Sequence, residues 1–179
     1  MGRKAYRVAP RKIEEIRNIA NHVRKKMGTD EIPMGKLIEL LLLKGAVHVL
    51  EDNDQMFSDH AEARYDPEQH CVFLRQSDYE SCLEDTWPRS KYTFWHEFGH
   101  AFLGHKISFA RGEGIEGKDI KPYESSEWQA DQFAAEILMP LDIMKKEAVC
   151  TVDGLIRRFG VSRKAAEKRI RQLRQHNSI

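Results

Sequence analysis

The sequence predicts an α+β domain, rich in helix and built around one small antiparallel sheet. Apolar residues recur at helical spacing toward both ends of the chain. The β-prone stretches are short, fall within residues 46–74 and are separated by turn residues. Helices bracketing a small sheet form a packed layer arrangement of the α+β kind. With 179 residues, 41% hydrophobic and 32% charged, the chain can bury a sizeable core and does not resemble a disordered segment.

From the N-terminus, Pro10–Met27 reads as a helix, with Ile13, Ile16, Ala20 and Val23 on one face and Gly28 as its C-cap. Asp30 is placed to cap a second helix, with Pro33 in its first turn, running to Gly45. "AVHVLE" is a strand. "AEARYDPEQHCVFLRQ" is a hairpin turning at Asp66-Pro67, with Cys71–Leu74 as its apolar arm. That arm fits a core strand at least as well as an edge strand open to an extended peptide. A helix begins near Ser90 or Lys91, and residues 106–124 read as an exposed loop. "SSEWQADQFAAEILMP" is a strong helix, with Ser125 or Ser126 as N-cap and Pro140 just past its end. Two or three shorter helices close the chain.

The net charge of +1 conceals an asymmetry. Residues 1–28 carry nine Lys/Arg against two Glu, and residues 151–179 carry eight against two acidic residues. The middle is correspondingly acidic. Basic ends suit contact with phosphates or an acidic partner, although solvated helix faces account for them equally simply. Cys71, Cys82 and Cys150 form no C-x-x-C pair and are read as small buried hydrophobes in a reducing compartment. The basic "MGRKAYRVAP" has no apolar run behind it, so it does not read as a secretory signal. The most apolar stretch, "KLIELLLLKGAVHVL", is broken by charge and glycine and too short to span a bilayer. The expected location is cytoplasmic, with no membrane association.

The chemistry concentrates in His96-Glu97-Phe98-Gly99-His100. On a helix, residues four apart lie one turn apart on the same face, so both imidazoles can reach one ion. Zinc suits them. Glu97 is rotated off that face, beside the position where it could take a proton from water. A helix with merely solvated histidines fits poorly, because Phe94, Trp95, Phe98, Ala101, Phe102 and Leu103 leave no other polar face. His105 lies about 140° further round an extended helix and is not expected to be a ligand. A third ligand is better sought among Glu113, Glu116, Glu124, Glu127 and Glu136. Glu127 is preferred, because Asp131 follows on the same helix face and can accept an imidazole N–H. Tyr92, His105 and Tyr123 are candidates to face a developing oxyanion.

"YTFWHEFGHAFLGH" followed by "EWQADQFAAEILMP" resembles the ImmA/IrrE-type metallopeptidases, a gluzincin-like group with a zincin-like fold. The likeness rests on His96, Glu97, Gly99, His100, Glu127, Ala130, Asp131, Phe133, Ala134, Leu138, Met139 and Pro140. It implies one zinc ion held by His96, His100 and Glu127, with Glu97 as catalytic acid and base. It also implies a protein substrate, a helix-turn-helix repressor of phage, mobile-element or stress-response genes. On this reading residues 1–140 form the metallopeptidase domain and 141–179 a helical, helix-turn-helix-like tail. Arg163, Lys164, Lys168 and Arg171 in that tail are candidate contacts to nucleic acid or a partner. Packing or partner recognition is favoured over sequence-specific DNA binding. The rival reading is a DNA-binding or repressor-sequestering regulator in which zinc is structural.

Overall fold

The computed structural model describes residues 5–28, 34–57, 61–84, 88–106, 120–176 and 178–179. Helix α1 (Ile13–Met27) has Glu14 and Glu15 in its first turn and Arg24, Lys25 and Lys26 in its last. Those charges complement the helix dipole at each end. Gly28 closes the helix at φ 71°, a conformation that costs glycine little. Helix α2 (Met34–Leu43) follows; the expected cap Asp30 and Pro33 lie outside the described residues.

Strands β1 (Val47–Leu50), β2 (Ala63–Asp66) and β3 (Cys71–Arg75) form the sheet, in the order β1-β3-β2. β2 and β3 are the antiparallel hairpin turning after Asp66, with Tyr65 opposite Val72. β1 instead runs parallel to β3, Val47 opposite Val72, so the sheet is mixed rather than wholly antiparallel. Side-chain alternation identifies the buried face of a strand but carries no information on its neighbour's direction. β3 takes the central position with Cys71–Leu74 all buried, which makes it a core strand; β1 and β2 form the edges.

Helix α3 (Gln76–Leu83) follows β3 directly and was not anticipated from the sequence. Helices α4 (Pro88–Phe102) and α5 (Ser126–Leu138) make the central pair, with the Ser125 hydroxyl accepting the Trp128 N–H at 3.3 Å as N-cap. They touch at Gly99, where an added Cβ would lie 3.0 Å from Ala130 Cα. Helices α6 (Leu141–Lys146), α7 (Val152–Phe159) and α8 (Arg163–Gln175) complete the chain. Gly160, at φ 60°, turns α7 into α8.

Leu155, Val161, Ala166, Ile170 and Leu173 of this last section join the same core as Ile16, Phe94, Trp95, Phe133 and Ile137. A buried ion network reinforces the junction. Arg169 donates to Glu136 from both terminal nitrogens, at 3.1 and 2.8 Å, and Arg17 of α1 adds a third contact at 3.0 Å. Cys71 and Cys82 are buried as expected, whereas Cys150 is exposed. Among the described residues, no helix is long and apolar enough to cross a membrane.

Candidate metal centre

α4 and α5 cross closely because the contact is glycine against alanine, and this brings their ligand-bearing faces together. His96, Glu97 and His100 on α4 are all buried. The Nε2 atoms of His96 and His100 stand 3.2 Å apart. Glu127 reaches them from α5, with Oε2 3.2 Å from His96 Nε2 and Oε1 3.4 Å from His100 Nε2. A tetrahedral ion with bonds of about 2.0–2.1 Å has ligand-to-ligand edges of about 3.3–3.4 Å. Each of these distances is close to such an edge, so the two imidazole nitrogens and the Glu127 carboxylate are spaced to share one zinc-sized ion. Glu127 Oε1 is buried and takes no hydrogen bond from the described residues, as befits an atom awaiting a cation. Of the described residues, these three form the group of His, Cys, Asp and Glu side chains that could hold a metal.

Around the triangle, each imidazole is held from behind. His96 Nδ1 lies 3.1 Å from Asp131 Oδ1, and an ionised carboxylate can only accept, so His96 donates from Nδ1 and presents its Nε2 lone pair. Burial works to raise the Asp131 pKa, but the His96 hydrogen bond and charge, with Lys168 added, overcome it and bring the pKa to about 2. Lys168 Nζ of α8 sits 2.5 Å from Asp131 Oδ2, and the Tyr92 hydroxyl 3.1 Å from Oδ1. His100 Nδ1 faces His105 Nδ1 at 2.9 Å. His105 Nε2 in turn faces Gln129 Oε1 at 3.1 Å. Burial lowers the His105 pKa, against the raising effect of the Gln129 contact, and favours the neutral ring. Next to His96 on α4, Glu97 Oε2 accepts the backbone N–H of Tyr65 at 2.9 Å, so edge strand β2 fixes this carboxylate's orientation.

The remaining sequence candidates are dispersed. Tyr92 bonds Asp131, and Tyr123 is exposed on a 3-10 turn (Pro122–Glu124). Glu136 is committed to Arg169 and Arg17. Glu113 and Glu116 lie outside the described residues. In α8, Lys164 and Arg171 are exposed and Arg163 pairs with Asp153 at 2.7 Å, while Lys168 points to Asp131. Sequence reasoning did not find the roles of Lys168, His105 and Gln129. A helical wheel reports neighbours within one helix and misses side chains that arrive from a later helix or from beyond a helix end.

This fold and site define a metallopeptidase by class. More particularly, the family model of the IrrE N-terminal-like domain, a peptidase family, matches residues 58–171, and the chain belongs to that family of ImmA/IrrE-type metallopeptidases. The match covers β2 and β3, both helices of the central pair and most of α8, and β1 lies before it. A comparison with curated proteins gives no match.

Proposed function

We propose that the protein is a zinc-dependent endopeptidase that cleaves a helix-turn-helix transcriptional repressor. The observation that carries the enzymatic part is the convergence of His96, His100 and Glu127 at tetrahedral edge lengths, with Glu97 buried on the same helix. The repressor as substrate is supported by the resemblance to ImmA/IrrE-type peptidases. His96 Nε2, His100 Nε2 and a Glu127 oxygen would hold the ion. When bound, zinc supplies a Lewis acid that acidifies water and polarises a peptide carbonyl.

The chain's own residues do the rest. Asp131 keeps the proton of His96 on Nδ1, away from the ion. Glu97, oriented by the Tyr65 N–H, takes a proton from the attacking water and delivers it to the departing amine nitrogen. Residues 141–179 act in this reading as a packed extension of the peptidase domain, with Lys168 braced against Asp131.

Glu97→Gln separates the readings. A peptidase keeps its zinc and loses about 10²–10⁴-fold in turnover. The exposed Lys164 and Arg171 on α8 favour the rival, a regulator with structural zinc that binds DNA or sequesters its partner. For such a regulator the substitution leaves partner binding unchanged and the partner's intact mass never falls. Intact-mass analysis of a helix-turn-helix repressor after incubation with the wild type and with Glu97→Gln decides between them.

A further inference from the structure

His105 has no place in the ligand set, yet its ring is almost fully buried. α4 ends at Phe102, and Gly104, at φ 68°, turns the chain so that the His105 N–H returns to the His100 carbonyl at 2.9 Å. This reversal closes the helix in the manner of a Schellman cap. It also carries the His105 ring back beneath His100, with ring centroids 5.0 Å apart. Behind His105 stands Gln129, itself fully buried.

We propose that His105 and Gln129 are positioning residues that hold His100 in the tautomer with its proton on Nδ1, turning the Nε2 lone pair toward the ion. Gln129 Nε2 lies 2.8 Å from the Ala9 carbonyl and 2.8 Å from the Tyr123 carbonyl. Two carbonyls can only accept, so the amide nitrogen belongs there and the amide oxygen faces His105. An oxygen that can only accept requires a proton on His105 Nε2. A neutral His105 then has an acceptor at Nδ1. His100 Nδ1, 2.9 Å away, must be the donor, which leaves His100 Nε2 unprotonated. The N-terminal segment and the 3-10 turn thereby select the protonation state of a metal ligand, through two side chains that do not touch the metal.

The inference rests on the metal-centre reading, but it can be tested without metal. Long-range proton–nitrogen correlation spectra of the metal-free full chain, in mildly alkaline buffer, should show His100 with its proton on Nδ1 and His105 with its proton on Nε2. His105→Phe fills the space but removes the acceptor. It should shift His100 toward the Nε2–H form and weaken zinc binding about 10–100-fold in a chelator competition. His105→Gln offers an oxygen to His100 and an N–H to Gln129, and should restore the tautomer and most of the affinity. A wild-type spectrum with His100 protonated on Nε2 would overturn the proposal, and it remains decisive even where His105→Phe fails to fold. So would a folded His105→Phe with unchanged tautomer and affinity. A wild-type chain that takes up no zinc refutes the metal reading instead, and leaves the tautomer to the spectrum.

Discussion

Gly99→Ala and Gly35→Ala both replace a helical glycine by alanine, and the packing around them predicts opposite outcomes. Helix propensity alone favours each change by up to about 1 kcal/mol. At Gly99 the new Cβ would meet Ala130 Cα at 3.0 Å, its carbonyl oxygen at 3.1 Å and its Cβ at 3.3 Å. Two of these are backbone atoms, which cannot swing aside, so α4 and α5 must separate by a few tenths of an ångström. Overpacking of this kind costs about 1–3 kcal/mol, which at its midpoint outweighs the propensity gain and leaves a net loss of about 1 kcal/mol. In a chain of this size that lowers Tm by about 2–4 °C. At Gly35 the nearest atom is the Leu83 Cδ2 methyl at 3.5 Å, an ordinary contact, so the same change should be neutral or stabilising. The assay is thermal unfolding followed by circular dichroism on metal-free protein, because bound zinc would add its own stabilisation. Gly99→Ala should also weaken zinc binding, since Glu127 moves with α5. A Gly99→Ala chain as stable as the wild type, or more so, would show that the close approach does not limit the helix pair.

Glu136→Ala should cost about 3–5 kcal/mol in urea denaturation, because it leaves the buried Arg169 guanidinium without its carboxylate. Asp131→Asn should weaken zinc binding about 10–100-fold by chelator competition while leaving the fold intact, since one uncharged amide oxygen must then serve both His96 and Lys168, where the carboxylate offered two. Lys168→Met should produce a smaller loss in the same competition; a change confined to nucleic-acid affinity would instead assign Lys168 to the outer face of α8.

Much of the fold was legible because local chemistry and tertiary packing agree there. Gly28 ends α1, Ser125 caps α5, and the two histidines four apart face one point, each as local rules require. Glu127 stands out in the sequence through Asp131 one turn on, and the structure brings it beside His96 and His100 in a group that could hold a metal. What escaped was non-local. α3 has no side-chain cap and few apolar positions, and part of its anchoring is the Asp78 carboxylate's contact with Ser90 and Arg75. The parallel pairing of β1 with β3 joins residues far apart in sequence, Val47 opposite Val72, which no local pattern reports. His105 was judged on a helix that was assumed to continue; the αL turn at Gly104 ends it and reverses the chain.

The two halves of the sequence motif also differ in what they demand of their neighbours. α4 needs small volume at Gly99, and its buried Phe94, Trp95 and Phe98 give it a large apolar surface beside the histidines. α5 faces four sets of partners in ten residues. Glu127 turns to His96 and His100, Gln129 to His105 and the N-terminal segment, Asp131 to His96 and α8, and Glu136 to Arg169 and Arg17. Each of these polar side chains is largely buried, so each requires a partner supplied by a different part of the chain. Three of the four lead to the ligand triangle, and the fourth fastens α8, which supplies Lys168 to Asp131. The geometry of the site therefore depends on the docking of both the N-terminal segment and the last helix, and a perturbation far from the triangle reaches it through α5.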